Sequence, residues 1–287
     1  MPVRSYLRRV IDFVKETLSL LPFLFATYLV LEAVEAHSGG ALGRILGRAR
    51  SVGPAVGALA GAVPQCGISA SAASLYAGGV VTLGTLLAVF LSTSDELLPV
   101  LISERVSFVV LAKVVGIKIA FALVAGFLVD RLLSFFRFRR REVSVSELCR
   151  HSHCCCSHRR GIVVPALIHT AEIFLFIVIV SGAVELAMHF FGEESLHKLC
   201  LDKPFAGELV AAALGLVPNC AVSVAGAKLY LAGVMSPGAM MAASFSGSGL
   251  GLLVLFRSNR SVKENLFILA LVYVLGVIFG YLSGFLF

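Results

Sequence analysis

The sequence predicts an all-α, polytopic membrane protein of two inverted repeats, each with a proline-broken helix pair, about ten membrane segments in all. Three observations carry this reading: an apolar composition, recurrent apolar runs of spanning length, and a self-match between the two halves. Apolar residues make up 58% of the chain and charged residues 14%, with a mean hydropathy of +0.94. That profile suits lipid as solvent and excludes an ordinary water-soluble domain. A helix needs roughly 20 apolar residues to cross a hydrocarbon core of about 30 Å, and the runs 17–36, 108–129, 165–190 and 266–287 qualify. They are continuous rather than alternating, which argues against a barrel wall. The run 17–36 exceeds a signal-peptide core and carries Glu32 and Glu35 near its end, so it reads as a retained span. Two longer tracts, 53–102 and 205–256, are rich in Gly, Ala and Ser and interrupted at Pro64 and Pro218. Each reads as a broken helix pair followed by a full span.

A shift of 154 residues lays Pro64, Cys66, Ser69, Leu75, Tyr76, Gly79, Val80 and Gly84 on Pro218, Cys220, Ser223, Leu229, Tyr230, Gly233, Val234 and Gly238. Ala73, Ala88, Ser92 and Ser94 fall on Ala227, Ala242, Ser246 and Ser248 at the same shift. Shared hydrophobicity would match Leu, Val and Ala positions, but not Pro-x-Cys, Leu-Tyr and Ser-x-Ser together, so duplication is implied. A shift of 153 pairs Thr17 with Thr170 and Glu32 with Glu185, extending the repeat to the opening span. The expected organisation is a first repeat over 1–130, a basic Cys/His-rich cytoplasmic linker over 131–163, and a second repeat over 164–287.

Basic residues orient the repeats. With an odd number of crossings per half and the N-terminus outside, 14 of the 24 Lys and Arg lie in cytoplasmic loops and 7 outside. The cytoplasmic set is Arg44, Arg48, Arg50, the arginines of 131–160, Arg257, Arg260 and Lys263. This bias favours inversion and an inner-membrane, multi-pass placement. The four basic residues before position 16 pull the other way. The net charge of +7 belongs to orienting loops facing anionic lipid, so lipid is the expected partner and nucleic acid is not. A homo-oligomer stays open.

The two Pro-x-Cys sites carry the most chemistry. Proline removes a backbone donor, and within a bilayer the resulting irregular backbone survives only where buried in protein or lining a wet cavity. Paired breaks at corresponding positions of two repeats mark a transport site, where freed carbonyls coordinate a cation and helix N-termini hold an anion. Cys66 and Cys220 are soft donors there, with Gln65 and Asn219 adding amides. The plainer alternative is a packing kink with inert cysteines. Ser92, Thr93, Ser94, Asp95 and Glu96 form a polar run whose counterpart, Ser246 to Leu250, lacks both acids. The acids would neutralise a cation or carry a coupling proton, or the run simply ends a helix. Lys228 either pairs with Asp95 or Glu96 or snorkels; Lys113 and Lys118 are expected to snorkel. His169 and Glu172, at i and i+3, share a helix face and suit a proton relay or second metal site, as do Glu32 and Glu185; all four also fit helix ends at the interface.

Within the linker, Cys149, His151, His153, Cys154, Cys155, Cys156 and His158 fall in ten residues. Such a density of thiolate and imidazole donors suits zinc, copper(I) or similar ions, though the spacing is no zinc finger. A solvated basic linker or a lipidation site are the other readings. No nucleotide loop or membrane-enzyme motif is present, so the chain is read as a non-enzyme that needs an ion gradient or a partner. No cofactor is expected beyond a transported metal ion.

At Val63-Pro64-Gln65-Cys66-Gly67, Ser92-Thr93-Ser94-Asp95-Glu96 and Val217-Pro218-Asn219-Cys220, with the Cys/His-rich linker between, the chain resembles the ten-span heavy-metal exporter family, whose members are labelled arsenic-efflux-like or manganese-transporter-like. The resemblance runs from about the first span to the last and implies export of a metal or metalloid. Family linkers are richer in histidine, and the cysteines here lean toward a softer metal than manganese. Two other readings stay open: a permease for an anion or small organic solute with structural cysteines, and a membrane-anchored metal sensor.

Overall fold

In the computed structural model the described residues are 42–64, 66–94, 97–135, 206–217, 220–231, 233, 235–259 and 261–287, with isolated helical positions 22, 25, 26, 29, 167, 168, 170, 171, 174, 175, 178 and 179. Among them the chain is all helical, without strands. The first set of helices is α1 (Leu42–Gly61), α2 (Cys66–Ala77), α3 (Leu83–Ser92), α4 (Leu97–Ser103) and α5 (Phe108–Phe135). The second is α6 (Ala206–Gly215), α7 (Cys220–Leu231), α8 (Pro237–Ser246), α9 (Gly251–Ser258) and α10 (Val262–Gly284). Arg44, Arg48 and Arg50, counted above as loop residues, lie within α1.

Local sequence explains where the helices begin and end. Thr82 and Ser236 are extended N-caps whose hydroxyls accept from the backbone N–H of Thr85 and Ala239, at 3.1 and 3.0 Å. Pro237 follows at the first helical position, where its missing N–H is no loss. Ser261 caps α10 by accepting from Glu264 N, within a Ser-x-x-Glu start signature. Gly79 ends α2 in the left-handed region at φ 74°, and Val80 N then donates back to Leu75 O at 2.9 Å; Gly233 does the same duty at φ 73° after α7.

Two groups of three helices result: α1, α3 and α5 pack together, as do α6, α8 and α10. Small residues let the backbones approach. A Cβ on Gly126 would stand 2.8 Å from both Gly84 O and Pro54 Cβ, and one on Gly280 would strike Ala242, 2.7 Å from its backbone nitrogen. The groups then interlock crosswise, with α2 against α9 and α4 against α7, while α3 touches α8. Tyr76 Oη on α2 donates to Glu264 Oε1 on α10 at 2.5 Å, a further tie between the groups.

Among the described residues three stretches, Phe108–Phe135, Pro237–Ser258 and Val262–Gly284, are long and apolar enough to cross a membrane. On α5 and α10 large apolar side chains face outward, among them Phe108, Val109, Phe127, Leu266, Phe267 and Ile278, as a lipid-facing surface requires. The central α3, by contrast, is buried from Gly84 to Ser92. It has 10 residues, hence a length of about 15 Å, half of a bilayer core. The expected full span after Pro64 is therefore itself divided, with α3 ending at Ser92 and α4 beginning at Leu97.

Candidate functional site

Buried hydroxyls cluster where α3 ends. Ser92 Oγ donates to Ala88 O and Val89 O at 2.8 and 3.1 Å, Thr93 Oγ1 to Val89 O at 2.7 Å, and Ser94 Oγ to Ser92 O at 3.2 Å. The hydroxyls share carbonyls with the helix ladder, since Thr93 N also donates to Val89 O at 3.0 Å, and Thr93 leaves the helix with φ −55° and ψ 130°. The end of α8 repeats this: Ser246 Oγ donates to Ala242 O and Ala243 O at 2.9 and 3.1 Å, and Gly247 departs with ψ 80°. Ser92, Thr93, Ser94, Ser246 and Ser248 are all buried, and the Ser248 hydroxyl has no hydrogen-bond partner.

Between the two ends sits Lys118. It projects from α5 and is 0% exposed. Its Nζ donates to Thr93 O, to Ser244 O at 2.8 Å and to Ser244 Oγ at 2.6 Å, while standing 5.6 Å from the centre of the Phe245 ring. Phe245 belongs to an aromatic trio with Phe121 and Phe279, the latter two stacked at 4.7 Å. An ammonium at membrane depth costs on the order of 3 kcal/mol. Here it meets the C-terminal ends of α3 and α8, whose free carbonyls carry partial negative charge. The expected snorkelling of Lys118 is thereby overturned. Ten residues separate it from the start of α5, about 15 Å along the axis, too deep for its stem to reach an interface when carbonyls lie beside it. Lys113, nearer that end, is exposed and stands 4.8 Å from the centre of the Phe287 ring.

Opposite charges guard the other ends of the same helices. Asp130 accepts from Gly84 N at 2.8 Å and from Thr82 Oγ1 at 2.7 Å, at the start of α3. Glu208, buried, accepts from Ser236 Oγ at 3.5 Å at the start of α8. Each short helix thus has a carboxylate at its N-terminus and the shared ammonium at its C-terminus, both favoured by the helix dipole.

A family model described as "Putative, 10TM heavy-metal exporter" matches residues 16–203, about two thirds of the chain. The chain belongs to this exporter family. The match takes in α1 to α5 and the linker and ends before α6, so it includes Cys66 and Lys118 but not Cys220. No curated protein and no solved structure matches the chain.

The structure brings several of the sequence-chosen residues of this exporter-family chain to one region. The last residue of α1, Gly61, abuts Ser92 Oγ, and a Cβ there would stand 2.5 Å from Val89 O. The bend bearing Pro64 therefore leaves from beside the end of α3, and α2 begins at Cys66. Gly215 abuts Ser246 Oγ and Ala243 O in the same way, with α7 beginning at Cys220. Pro64 is exposed. Lys228 is exposed in the last turn of α7. Gln65, Asp95, Glu96, Pro218, Asn219, Glu32, Glu185, His169, Glu172 and the linker set Cys149, His151, His153, Cys154, Cys155, Cys156 and His158 lie outside the described residues. Among the described residues no group of three or more His, Cys, Asp or Glu could hold a metal ion.

Sequence reasoning took Lys118 to snorkel and did not single out Asp130 or Glu208. Depth would have singled out Lys118; the two acids gave no sequence signal, because each caps a helix that is distant in sequence or belongs to another element.

Proposed function

We propose that this chain is a secondary active exporter of a heavy-metal cation or an arsenic-type metalloid, working through a midplane site where its broken helices meet. The observation that carries the reading is the convergence of the α3 and α8 C-termini on buried Lys118, in a chain of the exporter family. Two helices of about 15 Å whose C-termini meet are what inverted repeats with a site at half depth would produce. Cys66 and Cys220 open α2 and α7 beside these ends, and they are the thiophilic donors of the site. Asp95 and Glu96 supply charge for a cation, and Ser92, Ser94, Ser246 and Ser248 supply oxygen. The two repeats are 1–130 and 164–287, in an inner membrane, and the 131–163 linker captures metal on the cytoplasmic side. Energy comes from an ion gradient.

An anion permease would need helix N-termini and a free cationic side chain at its centre. The buried ends of α3 and α8 are C-termini, and their carbonyls already hold Lys118. Carbonyl oxygens at helix C-termini offer an anion no donors, and what supports the metal or metalloid reading is the exporter family and the two cysteines that open α2 and α7. The test is accumulation of manganese, zinc, iron, copper, cadmium and arsenite in cells expressing the wild type or the Cys66→Ser/Cys220→Ser double variant, with membrane delivery checked by blotting. Lower accumulation of one species with the wild type, lost in the variant, is the expected result. Unchanged accumulation of all six with a correctly delivered wild type refutes it.

A further inference from the structure

Three acceptors of Lys118 resemble part of the shell of a bound monovalent cation: the backbone carbonyls Thr93 O and Ser244 O, and Ser244 Oγ. These three acceptors are uncharged oxygens, the donor type chosen by hard cations rather than by thiophilic ones. They come from opposite groups of helices, Thr93 from the end of α3 and Ser244 from the last turn of α8, and the face of Phe245 adds cation–π attraction. The position 154 residues on from Lys118 is Val272, also 0% exposed but apolar. Only the first half therefore supplies a cation to the junction from this place on its long helix.

We infer that Lys118 is a built-in monovalent cation: its ammonium fills an oxygen-lined alkali-ion site joining α3 to α8, and a chain lacking the amine takes Na⁺, K⁺ or a small alkylammonium from solution instead. The tethering has a physical consequence. A diffusible ion leaves the junction at low salt, whereas the Lys118 ammonium is always at hand, so the contact between the two groups is independent of external Na⁺ and K⁺. Release of this contact then depends on movement of α5 relative to Ser244, which makes Lys118 a positioning residue for the separation of the two groups rather than a ligand of the cargo. The inference goes beyond the export reading and needs no knowledge of what is exported.

The test uses the full-length protein in detergent, with Tm and the monodisperse fraction on size exclusion as readouts, in chloride salts of Na⁺, K⁺, methylammonium and the bulky N-methylglucamine at matched ionic strength. Wild type should show the same Tm in all four. Lys118→Ala, which opens the site, should have its lowest Tm in N-methylglucamine and gain about 3 °C for each tenfold rise in whichever small cation binds, once its Kd is passed. Lys118→Met, which fills the space with an apolar stem, should show no such dependence. Equal response of the alanine and methionine variants, or no cation response in Lys118→Ala, overturns the inference. So does a Lys118→Ala protein that stays aggregated in every salt while Lys118→Met is monodisperse. Because no cargo enters the assay, its failure leaves the export reading to the accumulation experiment, and failure there leaves this result standing.

Discussion

The helices α1–α5 and α6–α10 share a backbone plan and differ in where they put charge. At a constant shift of 154 residues the left-handed turn at Gly79 meets Gly233, the cap Thr82 meets Ser236, and Ser92 meets Ser246 with the same pair of carbonyl bonds. The tight glycine approaches also correspond, Gly61 with Gly215 and Gly126 with Gly280. Charge does not follow. Lys118 faces Val272 in this alignment, Asp95 and Glu96 face Gly249 and Leu250, and Asp130 faces Gly284. Even a shared requirement is met differently: the start of α3 receives its carboxylate from α5, through Asp130, and the start of α8 from α6, through Glu208. Features set by backbone geometry are held in common, because a helix can stop or approach closely in few ways, whereas one ammonium where two helix C-termini converge suffices and a second would repel it.

That contrast gives predictions of graded size. Moving the charge should be worst: Val272→Lys puts an ammonium into an apolar core cluster with Ile268 and Leu255, and loss of monodisperse protein on size exclusion is expected, as an uncompensated buried charge costs about 3 kcal/mol or more. A Val272→Lys protein of wild-type stability would show that the second half tolerates charge as the first does. Enlarging the matched glycines should act alike in both halves. Gly126→Val and Gly280→Val each meet close neighbours and should lower stability by about 1–3 kcal/mol, read as similar drops in Tm; a large drop in one alone would break the correspondence. The caps give the smallest effects, Thr82→Ala and Ser236→Ala each costing about 1 kcal/mol. Thr82→Ala should be the costlier, since Thr82 also donates to Asp130 at 2.7 Å, whereas the Ser236 contact to Glu208 is 3.5 Å. Thermal unfolding of the two variants side by side decides this.

Proline made the first pair of breaks legible in the sequence. Pro64 and Pro218 stand out in Gly/Ala/Ser-rich tracts, and helices do end just ahead of Pro64, at Gly61, and resume at Cys66. The second break, after Ser92, is visible as a polar run that either joins a cavity or ends a helix. Short-range hydroxyl-to-carbonyl bonds mark it, but Ser and Thr make such bonds inside continuous helices as readily as at their ends. The all-helical class and the lipid-facing faces of α5 and α10 followed from apolar run length, a property of sequence alone. Lys118 was legible as a lysine in a span but not as the junction, because its acceptors, Thr93 O and Ser244 O, are backbone atoms brought together only by the crosswise packing of the two groups. Backbone acceptors leave no side-chain signature.

Flux through purified protein tests the central claim most directly. Wild type, Cys66→Ser/Cys220→Ser and Lys118→Met would be reconstituted into liposomes and release or uptake of zinc, cadmium, copper(I), manganese and arsenite followed with an imposed proton or sodium gradient. Gradient-driven movement of at least one of these species by the wild type is expected, abolished in the cysteine variant and strongly reduced in Lys118→Met. Movement of the same species at wild-type rate by both variants would contradict it.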